Sequence, residues 1–245
     1  MQKLILTFCL LFINFIYSQN HFTYTTYIKN TKREGILITN NDKNTAVYID
    51  KIKASQIIDK KAEEKIATVN IMGNNDAIYY KENFNNLKYT RNLLKMNYLV
   101  DDSTLKINWQ LLPETKNING YLCYKAEANF RGRFWTVWYS PQIPTNYGPW
   151  KFYGLPGLIF EAKDKTNEFA FILNEITQTN NIEYPVIDLN KFKKVNLQSY
   201  SALADDALTL KSLSNSRDYM IESKTEYKRN GIEIIYEWEE QNKNN

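Results

Sequence analysis

Two adjoining runs, residues 121–130 and 134–140, constrain this chain most, because both alternate with period two and the second is apolar on both sides. In the first, Leu122, Tyr124, Ala126, Ala128 and Phe130 share one face of a strand. Lys125, Glu127 and Asn129 point the other way, beside Tyr121 and Cys123. In the second, Trp135, Val137 and Tyr139 oppose Phe134, Thr136 and Trp138. A strand apolar on both faces is covered on both. Arg131-Gly132-Arg133 leaves room only for a tight connection. The pair therefore reads as an antiparallel hairpin inside a packed β structure.

Downstream stands Gly154-Leu155-Pro156-Gly157-Leu158-Ile159. Proline presets φ for the second position of a turn, and glycine supplies the positive φ that the third position of a type II turn needs. Residues 155–158 are expected to reverse the chain. Leu158, Ile159 and Phe160 are then expected to leave it as a buried strand. Such a motif sets a fold and performs no chemistry.

Other segments extend the β reading. Residues 22–29 alternate; 36–39 and 45–49 flank an Asn/Asp-rich loop; 78–81, 87–91 and 105–111 are further strands. Residues 158–163 and 169–176 flank the loop Asp164-Lys165-Thr166-Asn167. Residues 54–65 are polar and read as a surface turn of helix or a loop. Residues 199–212 carry Leu203, Ala207, Leu208 and Leu210 near helical spacing, and 232–238 alternate as a closing strand. Only 8 Gly and 6 Pro punctuate 245 residues, so most of the chain should be regular. With no Pro/Gly/Ser linker and no repeat, the expected fold is mainly β or α+β: a curved antiparallel β-sheet with one or two helices in a single domain.

Residues 1–18 read as a signal peptide: Lys3, an apolar run from Leu4 to Tyr17, and the small Ser18 before Gln19. The expected mature domain is 19–245, exported to the periplasm, associated with the outer membrane or secreted. No integral membrane segment is expected after cleavage, because the apolar run is too short to span comfortably. Cleavage would also remove Cys9 and leave Cys123 as the single mature thiol, so stability should come from the core. A net charge of +4, spread in short interrupted basic points, excludes a nucleic-acid stripe.

The hexapeptide and its surroundings resemble the GLPGLI family, exported proteins of Bacteroidota without an established biochemical role. The likeness is carried by Trp109, Gly120-Tyr121-Leu122-Cys123-Tyr124-Lys125-Ala126, Gly132-Arg133, Trp138-Tyr139, Ile143-Pro144 and Gly148-Pro149. Its specific part covers about residues 105–176. What it implies is export and a shared scaffold.

Catalytic candidates are sparse. His21 is the only histidine and lies next to the expected mature terminus, where a base would fray. Cys123 would need Lys125 or Arg133 to activate it, and reads better as a structural thiol. No metal-ligand spacing occurs, and no cofactor is expected. Glu127, Glu161 and Asp164 could form a carboxylate pair for hydrolysis of envelope or host polymers, the chemistry by which glycosidases work. The aromatic loop residues Tyr147, Trp150 and Tyr153 could line a groove or fill the core. The expected role is a non-catalytic binding or scaffold module for an envelope protein, an apolar ligand or a glycan. The alternative is a hydrolase.

Overall fold

The computed structural model describes residues 19–40, 44–51, 77–83, 86–103, 106–179, 188–215 and 228–243. They form one mainly β domain. The strands are β1 (Gln19–Ile28), β2 (Thr31–Asn40), β3 (Thr45–Lys51), β4 (Ala77–Glu82), β5 (Asn86–Leu93) and β6 (Met96–Asp101). The second half supplies β7 (Gln110–Ile118), β8 (Tyr121–Phe130), β9 (Arg133–Ser140), β10 (Leu158–Asp164), β11 (Phe169–Thr179) and β12 (Lys193–Asn196). Two helices follow, α1 (Leu197–Asn215) and α2 (Glu237–Lys243). The expected leader at 1–18 and the polar segment at 54–65 lie outside the described residues.

All twelve strands join one sheet in the order β12-β6-β5-β4-β3-β2-β1-β11-β10-β9-β8-β7. Its pairs are antiparallel except β12 with β6, which makes the sheet mixed where an antiparallel one was expected. Several hairpins turn on two residues with positive φ, the geometry that matches strand twist. These are Leu94-Lys95 (φ 50° and 65°), Asn119-Gly120 (53° and 85°) and Arg131-Gly132 (50° and 80°).

One ion pair reveals the shape. β6 and β8 stand nine steps apart in the strand order. Laid flat, nine steps would span about 43 Å. Yet Arg131, in the turn that ends β8, reaches Asp102, just past β6, at 2.6 Å. The sheet therefore curls until its two sides nearly meet, without closing into a barrel. Edge strand β7 carries Pro113, Glu114 and Lys116, and a register shift between Leu111 and Thr115. Each of these discourages pairing with another chain.

The inward face is aromatic. Register places Phe22 and Tyr24 of β1, Leu37 of β2, Tyr48 of β3, Tyr79 of β4 and Tyr89 of β5 on it, continued by Phe171, Ala162, Val137 and Trp135 on the other limb. All are buried.

Two expectations shift. The strand expected at 105–111 begins at Gln110, and 106–109 run irregularly. The closing strand expected at 232–238 is irregular chain leading into α2. The reason is local. Ile234 and Ile235 both donate their N–H to Arg131 O (3.0 and 3.3 Å), so the segment crosses the end of a hairpin instead of lying along a strand. Glu239 then accepts from Tyr236 N–H at 2.9 Å and caps the start of α2.

Candidate functional site

The loop between β9 and β10, residues 141–157, enters the curl and fills it. It doubles back on itself: Gly148 N–H donates to Phe152 O at 3.0 Å, and Gly154 N–H to Asn146 O at 2.7 Å. At its tip Trp150 takes a left-handed conformation, φ 50°. That turn brings its ring parallel to Phe171, with centroids 6.1 Å apart, while Phe152 meets Trp135 edge-on at 4.8 Å. Tyr147 is 2% exposed and Trp150 3%. The structure thus corrects the groove reading of these two: they are core. Tyr153 keeps partial exposure, and its carbonyl accepts the Trp109 indole N–H at 2.9 Å.

The hexapeptide ends this plug, but not as a type II turn. Leu158 N–H donates to Ile143 O at 3.0 Å, across the base of the loop, so it does not close a turn onto Leu155. Gly154 has the left-handed φ of 91°. Gly157 is nearly extended, with φ 159°. Its need for glycine is steric: a Cβ there would stand 2.2 Å from Ser140 O. Leu155, Leu158 and Ile159 are buried, while Gly154 and Pro156 are exposed. Tyr24 of β1 donates its hydroxyl to Ile159 O at 2.7 Å and ties the motif to a strand two steps along the sheet.

Polar side chains pin the plug. Lys81 of β4 donates to Gly148 O at 2.6 Å and Phe152 O at 3.0 Å. Burial pulls its pKa well below the ordinary lysine value. Lys151, 0% exposed, donates to Asp102 at 2.8 Å and to both carboxylate oxygens of Glu233 at 2.8 and 2.9 Å. Arg131 grips Asp102 bidentately at 2.8 and 2.6 Å, and also bonds Glu233 and Glu237. Two cations and two carboxylates so form a buried neutral cluster, with Glu237 at its wet margin. Burial favours the neutral form of Lys151 and of Glu233. For Glu233 the attraction of Lys151 and Arg131 wins, and its pKa falls to about 2. For Lys151 burial is the larger influence and lowers its pKa. Three short bonds to carboxylate oxygens are the geometry of a charged amine, and we take the cluster as ionised.

The carboxylates singled out for hydrolysis do not converge. Asp164 faces inward opposite Trp135 and pairs with Arg133 at 2.8 Å. Glu161 faces outward and pairs with Lys116 at 2.7 Å, while Glu127 pairs with Lys125 at 2.9 Å. The Lys116 amine passes 4.5 Å over the Trp138 ring. Lys116 stands opposite Cys123 in the register, and burial pushes that thiol up to about 11. His21 is paired with neighbours on both sides of β1, and burial lowers its pKa. Among the described residues no group of three histidine, cysteine or carboxylate side chains is placed to hold a metal ion.

The plug fills the middle of the inward face, and a concavity also lies on the outer face. Register sets Val47 beside Tyr80 and Tyr80 beside Lys88; the next row holds Asn40, Thr45, Glu82 and Asn86. These residues line a depression of about 370 Å³. An aliphatic and a phenolic side chain form its floor, and amides, a carboxylate and an amine ring it. Nothing in the sequence marked this place, because outward alternation reads as ordinary solvated strand.

A family model described as "Protein of unknown function (Porph_ging)" matches residues 131–161. The match covers the β8–β9 turn, β9, the plug and the start of β10, so it falls on the part that fills the curl. No curated protein sequence matches the chain. Among solved structures, "Structure of PNGF-II in P21 space group" is similar at a TM-score of 0.51 and 16% identity, over 76% of this chain and 33% of that one. The same protein in a C2 space group gives 0.50 and 16%, over 76% and 32%. An uncharacterized conserved protein from Thermus thermophilus gives 0.40 and 9%, over 74% and 91%. The chain thus spans about a third of the length of the PNGF-II chains. At such identity the likeness to them is one of fold.

Proposed function

We propose that this chain is an exported, non-catalytic binding module of the GLPGLI type, and that it takes a neutral glycan on its outer face. The observation that carries the reading is the depression over Val47 and Tyr80 with its ring of Asn40, Thr45, Glu82, Asn86 and Lys88. A phenolic ring offers an apolar body to a sugar face, and planar amide and carboxylate groups meet hydroxyls. The inner aromatics supply rigidity instead, since the plug occupies the curl. The match at residues 131–161 overlaps the hexapeptide region, which supports the family assignment.

Titration with neutral oligosaccharides, followed by ligand-observed NMR, tests the site. Tyr80→Ala is expected to weaken binding about tenfold or more, the scale of one lost aromatic contact, with the melting temperature little changed. Binding that survives Tyr80→Ala and Glu82→Gln together would place the ligand elsewhere.

Export rests on the charged, apolar and small-residue order of 1–18. Mass spectrometry of the protein from cell envelopes should give a mature form beginning at Gln19. A form that still begins at Met1 overturns the proposal.

A further inference from the structure

Five arginines lie among the described residues, and four of them meet a carboxylate. Arg33 pairs with Asp50, Arg131 with Asp102, Arg133 with Asp164 and Arg229 with Asp205. Arg91 meets none among the described residues. It stands on the inward face of β5, opposite Tyr98 of β6. Its guanidinium carbon lies 4.9 Å from the Tyr79 ring centre and 4.6 Å from that of Tyr89. One terminal nitrogen donates to Thr90 O at 2.9 Å and the other to the Tyr79 hydroxyl. Tyr98 meets Tyr200 of α1 edge-on at 5.7 Å, which sets a further phenol in the same neighbourhood.

A guanidinium withdrawn from water without a counter-charge is costly unless something supplies one. Ring faces attract it but accept no hydrogen bonds in its plane. The fork has five N–H donors, and two are used as described. Arg91 is part-buried, and its Nε makes no hydrogen bond yet is not sealed from solvent. The Glu233 carboxylate, whose charge acts on Tyr79, Tyr89 and Tyr200, is already committed to Lys151 and Arg131.

We propose that Arg91, with Tyr79, Tyr89 and Tyr200 around it, is a receptor for an oxyanion, a carboxylate or sulfate group. A planar fork matches such a group bidentately, and phenol hydroxyls can add donors. The group can arrive as a free anion or on an acidic sugar. This site is on the face opposite the Tyr80 depression and does not rest on it.

The test is thermal unfolding of the full mature chain in sodium glucuronate or sodium sulfate, against chloride of equal ionic strength. A ligand that binds only the folded state raises the melting temperature by about 5 °C or more at a hundredfold excess over its dissociation constant. The parent should show the rise, Arg91→Met should lose it, and Arg91→Lys should need about tenfold more ligand. Tyr80→Ala should keep it in full. A rise with both salts identifies any oxyanion as sufficient, and one with glucuronate alone identifies an acidic sugar. No rise in the parent, or an undiminished rise in Arg91→Met, overturns the proposal. If Arg91→Met does not fold, an Arg91→Lys titration that matches the parent's overturns it equally.

Discussion

Asp102→Ala is expected to destabilise the domain by about 3–5 kcal/mol, the cost of breaking a buried ion pair from one side. Asp102 accepts both forks of Arg131 and one bond of Lys151, and its side chain is 0% exposed. Its removal leaves two buried cations sharing Glu233, with only the more exposed Glu237 beside Arg131. The same ion pairs hold the plug, the β8–β9 turn and the chain before α2 together, so the loss is felt across the gap of the curl. Glu237 also bonds Arg131, but its side chain is 44% exposed. Glu237→Ala should therefore cost no more than about 1 kcal/mol. Urea unfolding of the two variants checks the contrast, and equal midpoints would refute the picture of a buried latch.

The latch also sets an acid limit. Glu233 has its pKa depressed to about 2 against burial, by Lys151 and Arg131. A depressed carboxylate contributes stability that is full above its unfolded value of about 4.3 and is lost as pH falls through its folded value. Between about pH 4 and pH 2 the parent should lose stability more steeply than Glu233→Gln.

Much of the β reading was legible because its physical signals are local. Strand β8 is read at its observed bounds from alternation alone, and Arg131-Gly132 marks its turn. Strand β6 escaped because its hairpin turns on Leu94-Lys95, which take positive φ without a glycine or asparagine to announce it. The segment before α2 misled for a different reason. Its alternation is real, but Glu233 is drawn inward to Lys151 while Ile234 and Ile235 bond a turn carbonyl. Tertiary partners 82 and more residues away decided it. Tyr147 and Trp150 could be core or groove by sequence, since aromatic residues serve both; the curl of the sheet put them inside. The outer depression and Arg91 were illegible for a related reason. Neither belongs to a sequence motif, and each depends on which side chains the register brings together.

Within the hexapeptide, Leu158→Ala and Ile159→Ala are expected to cost about 2–5 kcal/mol each, because both side chains are buried in the core. Gly157 should be as sensitive. A Cβ there meets Ser140 O at 2.2 Å, Ser140 C at 2.5 Å and Pro141 N at 2.7 Å, all backbone atoms at the end of β9. No side-chain rotation relieves such a clash, so β9 and β10 must move apart. Gly157→Ala already carries the offending atom and should lose about 1–3 kcal/mol, with Gly157→Val at or above the upper end. Gly154 differs: its Cβ would meet nothing within 4 Å, but its φ is 91°. Gly154→Ala should thus cost only the left-handed penalty, about 1–2 kcal/mol. Pro156 is exposed, and Pro156→Ala should cost about 0.4–1 kcal/mol through the freed unfolded chain. Chemical unfolding ranks the series from Gly157→Val through Gly157→Ala and Gly154→Ala to Pro156→Ala. Variants that melt like the parent and yet lose ligand binding would make the motif a contact surface, and its role as the hinge of the plug would fall.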